Sequence, residues 1–263
     1  MDTPKEIDAF SGDPNFMNSL ARGLAVIRGF SREKRNMSIA QLSHKTGIPR
    51  AAVRRCLYTL ARLGYVGTED GRNYSLQPKL LGLGNAFLSS TPLVVAAQPL
   101  LDRVSEAVNE SCSLATRDGE DILYLARSVS SRIISVTLNV GSRLPAHCTS
   151  IGHVLLASLP QKDFENYLEG ADLRAFTERT PTSPQKLREQ IAAVRATDYA
   201  IADQLMELQV RSIAVPVRNA AGKVVAGMNV IVQAGRASLR EMKSLYLPPL
   251  QAAARDLGAQ LVA

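Results

Sequence analysis

The stretch IPRAAVRRCLYTLARLGYV, residues 48–66, places Arg50, Arg54 and Arg55 in the leading half of a segment whose apolar residues recur at helical spacing. Arg50 and Arg54 are i,i+4 neighbours, and Arg55 is displaced from Arg54 by about 100° around a helix. A guanidinium is a rigid planar fork that can grip guanine O6 and N7, or a phosphate. An α-helix fits the major groove of DNA, and its N-terminal residues reach the base edges. Tyr58, one turn beyond Arg54, is placed for a sugar or phosphate. Arg62, near the far end, suits a structural role or a phosphate contact. The chemistry these residues offer is recognition of a polyanion.

Other chemistries find less support. His147-Cys148 would suggest a nucleophile with its base, or two metal ligands, but neighbours on a strand face opposite sides. There are three histidines and no matching acid cluster, so no metal and no cofactor are expected. The cysteines, Cys56, Cys112 and Cys148, are odd in number and far apart, without a CxxC pair. They fit a reducing cytoplasm, with Cys148 a small buried hydrophobe. No phosphate-cradling glycine loop is present. Nothing composes a catalytic set, and the expectation is that the chain is not an enzyme.

The elements around the arginines agree with a DNA-reading role. Phe16, Leu20, Leu24, Ile27 and Phe30 form one stripe and predict a first helix with that face inward. Ser38 followed by Gln41 has the spacing of a capping box and starts a second helix, which Gly47 breaks. Pro49 opens the third, lined by Val53, Leu57, Leu60 and Ala61 and ended by Gly64. YVGTEDGRNYSLQP then reads as a β-hairpin with Arg72 near its tip. Helix, tight turn, arginine-rich helix and hairpin is the order of a winged helix-turn-helix. The expected DNA-facing set is Ser38, Arg50, Ala51, Arg54, Arg55, Tyr58 and Arg72.

The remainder reads as a linking helix, LLGLGNAFLSS, a boundary at Thr91-Pro92, and then helices and strands in groups. CSLATRDGEDILYLARSV and RIISVTLNVGSRLPAH read as strands, TSIGHVLLASLP as a helix, and Ser183-Pro184 as the start of another. VRSIAVPVRNAAGKVVAGMNVIV reads as two strands about a turn, and the chain closes on a helix. This grouping predicts an α+β fold. The expected domains are a disordered tail over 1–15, the winged helix-turn-helix over 16–78, a linker helix over 79–91 and a ligand-binding and oligomerisation domain over 92–263.

The chain has 263 residues, 46% of them hydrophobic, enough for a sizeable core. Its net charge of +7 is concentrated. Residues 16–85 hold twelve Lys/Arg against three acids, while residues 86–263 hold eighteen against seventeen. A basic excess confined to one segment indicates a polyanionic partner there. No apolar run reaches the roughly 18 residues of a membrane span, and the acidic N-terminus lacks an apolar h-region. A cytoplasmic protein without a membrane partner is expected.

SLARGLAVIRGFSREKRNMSIAQLSHKTGIPRAAVRRCLYTLARLGYV resembles the N-terminal domain of IclR-type bacterial transcription regulators. NVGSRLPAHCTSIGHVLLASLP and VRSIAVPVRNAAGKVVAGMNV resemble two segments of that family's effector domain. RAAVRRCL, SSTPL, DGEDILYLARS and RIISVTLNVGSRLPAHCTS are similar to the PcaR/PcaU/PobR branch. The resemblance implies a winged helix-turn-helix joined by a helix to a GAF-like effector domain, acting as a homodimer or dimer of dimers on palindromic double-stranded operator DNA. It implies a regulator of aromatic-acid catabolism that senses a small aromatic or dicarboxylic acid and activates through RNA polymerase. A repressor of the same type answering an unrelated small metabolite is the alternative; an enzyme fused to a DNA-binding module is a third reading.

Carried over by position, the resemblance places effector contacts at Ser150, Ile151, Ser212, Asn229 and Ile231. A helix N-terminus beginning at Ser150 has free N–H groups and suits a carboxylate. Arg132 and Arg143 are the cations nearest in sequence, and a surface role suits them equally. This chain departs from the family at DYAIADQLMELQ: Asp198 and Gln209 stand where glycines are common, Ala202 and Leu205 where acids are. His153 stands where Lys or Arg is common.

Overall fold

The structure is a computed structural model and describes residues 7–10, 12–30, 34–130 and 138–261. The chain divides into two compact units, one ending at Phe87 and the other beginning at Leu88. Of the segment 1–15, expected to be a disordered tail, residues 1–6 and 11 lie outside the described residues. Phe10, within that segment, stacks its ring on Phe16 with centroids 4.8 Å apart.

In the first unit, helices α1 (Asn18–Gly29), α2 (Ile39–Thr46) and α3 (Arg50–Arg62) enclose a core that includes Val26, Leu42, Val53 and Leu57. Strands β1 (Met37–Ser38), β2 (Val66–Gly67) and β3 (Asn73–Leu76) form a small antiparallel sheet with β3 central. Ser38 and Gln41 make the reciprocal capping box that their spacing predicts. Gly47 ends α2 with φ 69°, a left-handed turn open to glycine without a Cβ penalty. The α1 face differs from expectation in part: Ile27 and Phe30 pack against the core as expected, and the leucines do not. Leu20 and Leu24 are 58% and 52% exposed, while Ala25, Val26 and Gly29 are buried. The reason is close approach: a Cβ at Gly29 would lie 2.9 Å from Leu42 Cδ2 and 3.2 Å from Thr46 Cγ2. The small-residue face of α1 therefore packs inward. Ala61, expected to line α3, is also exposed.

Helix α4 (Leu81–Ser90) has no buried residue, and α5 (Pro92–Val108) begins at the expected boundary. The second unit is built on one six-stranded antiparallel sheet in the order β6-β5-β4-β9-β8-β7. The strands are β4 (Ser111–Asp118), β5 (Asp121–Ser128), β6 (Arg143–Pro145), β7 (Ala200–Asp203), β8 (Val210–Arg218) and β9 (Val224–Gln233). One face packs on α5 and on α9 (Leu247–Ala259), which follows a π-helical turn over Met242–Tyr246. The other packs on α6 (Ser150–Ala157), α7 (Gln161–Gly170) and α8 (Pro184–Thr197). Strand β9 shows why both faces form: Met228, Val230 and Val232 enter the first core, while Gly227, Asn229 and Ile231 alternate to the opposite face. This is the α+β architecture expected of the sequence.

Three details depart from the reading above. Helix α7 and strand β7 carry no strong periodic signal and were not anticipated. The strand expected over Arg132–His147 is described only as β6, residues 131–137 lying outside the described residues. His147 and Cys148 sit on a 3₁₀ turn, Ala146–Cys148, and not on a strand. His147 Nε2 lies 3.1 Å from the Arg174 carbonyl, while the Cys148 thiol points to Met206 Sδ at 3.4 Å. Burial pushes that thiol up to about 12, so it is inert as a nucleophile.

Candidate DNA-reading face and effector pocket

Helix α3 separates its residues by function. Val53, Leu57 and Leu60 are buried, whereas Arg50, Ala51, Arg54, Arg55 and Tyr58 are exposed. Pro49 precedes the helix in extended conformation, and its carbonyl accepts from Ala52 N and Val53 N at 2.9 and 3.0 Å. The side chain of Ser43 donates to the Ile48 carbonyl at 2.7 Å, tying α2 to the turn before α3. The angle between the two helices is thus braced by a local hydrogen bond as well as by the core. Among the described residues, Arg50, Arg54 and Arg55 have no ion-pair partner. Arg62 lies over the Tyr58 ring at 5.2 Å, so Tyr58 is stacked within its own helix.

The wing is organised by Asp70. Its carboxylate accepts from Arg72 N, Asn73 N and Asn73 Nδ2 at 2.7–2.8 Å. These bonds hold the Asp70 carboxyl well below its ordinary range. The Arg72 side chain is left exposed beside the turn. Ser38 is partly buried and its hydroxyl oxygen accepts from Gln41 N at 3.3 Å, so it serves first as a helix cap.

In the second unit, Ser212, Asn229 and Ile231 line one hollow on the α6–α8 face of the sheet, a cavity of about 50 Å³. That is several times what one water occupies. Tyr124, Leu138, Ala202, Leu205 and Met206 supply apolar wall. Ser150 does not line it but donates its hydroxyl to Ser212 Oγ at 2.7 Å. Ile151 is fully buried beneath Gly227, where a Cβ would lie 2.8 Å from Ile151 Cγ2, and it acts as packing. Arg143 is held at the sheet edge by Asp118 and by Asp121, 3.6 Å away, and does not line the hollow. Arg132 lies outside the described residues.

The hollow also contains a group that the sequence reading missed. Arg127 lines it. Among the described residues, Arg127 Nε and Nη1, Ser113 Oγ and Asn229 Oδ1 are buried without a hydrogen-bond partner. Burial draws the Arg127 guanidinium below its ordinary range. The three residues stand in one row across the sheet, Ser113 paired with Arg127 on β5 and with Asn229 on β9. Strict alternation from Ile122 and Tyr124 puts Arg127 on the opposite face. The register, however, pairs Ala115 with Tyr124 and Leu114 with Ala126, leaving Leu125 as the extra residue of a β-bulge. The bulge reverses the parity and turns Arg127 toward the hollow.

Asp198 and Gln209 adopt φ values of 59° and 65°, the left-handed region, where the resembling family carries glycine. Asp198 is compensated by a two-pronged pair with Arg218 at 2.7 and 2.9 Å. Gln209 donates its N–H to Gln204 Oε1 at 3.0 Å. His153 is buried on α6 with Nε2 2.7 Å from the His147 carbonyl, and burial lowers it to about 4. It is a neutral core histidine.

Comparison with known proteins matches residues 19–70 to the IclR helix-turn-helix domain and residues 85–259 to the bacterial transcriptional regulator IclR C-terminal domain. The chain is 54% identical to the Pca regulon regulatory protein of Pseudomonas putida, over 98% of this chain and 88% of that protein. It is 32% identical to the p-hydroxybenzoate hydroxylase transcriptional activator of Acinetobacter baylyi, over 92% and 91%. A solved structure from Rhodococcus sp. RHA1 superposes with a TM-score of 0.82 at 42% identity, covering 94% of this chain and 98% of that one. An IclR homologue from Microbacterium hydrocarbonoxydans, solved with 4-hydroxybenzoate, gives a TM-score of 0.78 at 25% identity, over 92% and 98%.

Proposed function

The chain belongs to the IclR family of bacterial transcriptional regulators, and we propose that it reads a palindromic operator with α3 and adjusts that binding to a small aromatic or dicarboxylic acid held by its second unit. The observation that carries the reading is the unpaired arginine face, Arg50, Arg54 and Arg55, on the leading half of α3. Ser38, Ala51, Tyr58 and Arg72 complete the proposed DNA-facing set. A segment with twelve basic and three acidic residues supplies the non-specific attraction, and the arginines add register and base contacts.

The proposed effector contacts are Ser212, Asn229 and Ile231, backed by Ser150 and Ile151. The known relatives named for the Pca regulon and for p-hydroxybenzoate hydroxylase support aromatic catabolism as the regulated process. The proposed domains are 16–78 for DNA, 79–91 as linker and 92–263 for effector and assembly. Dimer formation on a two-fold operator is supported by the exposed Leu20 and Leu24 of α1 and Leu81, Leu83 and Phe87 of α4. Activation through RNA polymerase, cytoplasmic location and the lack of an enzymatic reaction belong to the same proposal. Among the described residues no single helix is long and apolar enough to cross a membrane.

The test is a gel shift of the full chain on the promoter DNA beside its own gene, together with calorimetry against a panel of aromatic and dicarboxylic acids. Specific, salt-sensitive DNA binding and uptake of at least one acid are expected. Failure to distinguish promoter from random DNA would overturn the operator reading.

A further inference from the structure

The row Arg127–Ser113–Asn229 is unusual for a sheet interior. Ser113 and Asn229 are 0% and 3% exposed, and each carries a buried oxygen with no hydrogen-bond partner. Beside them, two guanidinium nitrogens are equally buried and equally unpartnered. Leaving such groups unsatisfied costs free energy, and burying a cation without a counter-charge costs more. Leu114 and Cys112, on the other face of the same strand, show that β4 packs well with apolar and thiol side chains. The fold nevertheless spends a β-bulge at Leu125 on aiming Arg127 into the hollow, a common way of re-aiming a side chain at a functional site. No carboxylate among the described residues pairs with Arg127 there. The surrounding wall, which includes Leu138, Leu144 and Ile231, is largely apolar, with Glu207 as its one carboxylate among the described lining residues, and it strengthens any charge pairing inside it.

We propose that Arg127 is the carboxylate anchor of the effector pocket, and that Asn229 takes a neutral oxygen substituent of the same ligand. This rests on the reading of the hollow as the effector site. The guanidinium bonds the ligand carboxylate through one of its two open nitrogens, Nε or Nη1, which lie on different edges of the planar group. The Asn229 amide, two strands away along the row, fixes the far polar group, and Ser113 stands between the two without lining the hollow. The ligand class is a compact organic acid bearing a hydroxyl or carbonyl, with its carbon frame against the apolar wall. Specificity then arises in two steps. A neutral analogue leaves the buried cation unpaired, and an acid without the second oxygen leaves Asn229 unsatisfied.

The experiment titrates the full chain and its Arg127→Met and Arg127→Lys variants by calorimetry. The probes are benzoate, 4-hydroxybenzoate, 3,4-dihydroxybenzoate, 3-oxoadipate and the neutral 4-hydroxybenzamide. Ligand-free and ligand-saturated thermal melts accompany it. The parent is expected to bind one of the substituted acids, and Arg127→Met to lose about 10- to 100-fold in affinity, the range for hydrogen bonds to a charged group. Arg127→Lys, which keeps the charge and loses the fork, falls between. The ligand-free melt of Arg127→Met stays level or rises, because an uncompensated buried charge has been removed; an arginine with a purely structural role would lower it. Equal acid affinity in parent and Arg127→Met overturns the proposal while leaving the pocket as the effector site. Binding of the amide but of no acid overturns it in the same way. Binding of no probe at all overturns both the anchor and the effector-site reading.

Discussion

Replacing Gly152 by alanine tests how the pocket floor is held. A Cβ at that position would stand 2.1 Å from the Ala146 carbonyl oxygen, 2.4 Å from Ala146 Cα and 2.6 Å from its carbonyl carbon. All three are backbone atoms of the 3₁₀ turn that leads into α6, so no flexible side chain can give way. A carbon and an oxygen in ordinary contact need about 3.3 Å, and α6 must part from the turn by more than 1 Å. The move breaks the cap in which Thr149 Oγ1 accepts from Gly152 N at 3.2 Å, worth about 1 kcal/mol. It also strains the packing of Ile151, Val154 and Leu155, adding about 1–3 kcal/mol for overpacking. A loss of about 2–4 kcal/mol lowers the melting temperature of a unit this size by about 5–15 °C. Gly170 is the control. A Cβ there meets nothing within 4 Å, and the same glycine-to-alanine change should be neutral or stabilise by a few tenths of a kcal/mol, roughly. Circular-dichroism melts of the two variants should move apart, and Gly152→Ala should also weaken acid binding because Ser150 is drawn from Ser212. A Gly152→Ala protein melting within 2 °C or so of the parent would refute the argument that backbone proximity sets this helix.

Three further outcomes are expected. Arg54→Ala should lower operator affinity by about 1–3 kcal/mol if it contacts a base, measured by fluorescence anisotropy; unchanged affinity counts against the assignment of α3 as the reading helix. Ser212→Ala should weaken the response to effector and leave operator binding intact, and calorimetric titration of parent and variant decides whether Ser212 belongs to the site. Stability should fall as pH drops from about 6.5 towards 4, because unfolding frees His153 to take up a proton it refuses in the folded state. His147, lowered by burial in the same sense, adds to the slope. From His153 alone the loss by pH 4.5 is about 2–3 kcal/mol. Urea melts of a His153→Gln variant should show a flatter pH slope, and an unchanged slope would assign the titration elsewhere.

The DNA-reading unit was largely legible in the sequence because its signals are local. Ser38 and Gln41 cap α2 in both directions, Gly47 ends it, and the α3 apolar residues recur at helical spacing. The α1 stripe misled at Leu20 and Leu24 for a physical reason. Periodicity identifies an apolar face without saying what covers it, and the close approach at Gly29 gave the core to the smaller residues. The proposed effector hollow was legible only in part. Ser212, Asn229 and Ile231 came from a family likeness and share one wall. Arg127 could not be found by counting, since a bulge one strand away from its partners reverses its face. Arg143, the sequence-proximal cation, is engaged by Asp118 and Asp121 across the β-edge. Cations near in sequence and cations near in space differ here because the sheet brings β5, β4 and β9 together from over a hundred residues apart.

The claim that the second unit governs the first is tested most directly by linkage. Operator affinity of the full chain is measured with and without saturating effector acid, and acid affinity with and without saturating operator. The account predicts that both change and that the two factors are equal, as thermodynamic reciprocity requires. An acid that binds the pocket while leaving operator affinity and promoter output unchanged would contradict it.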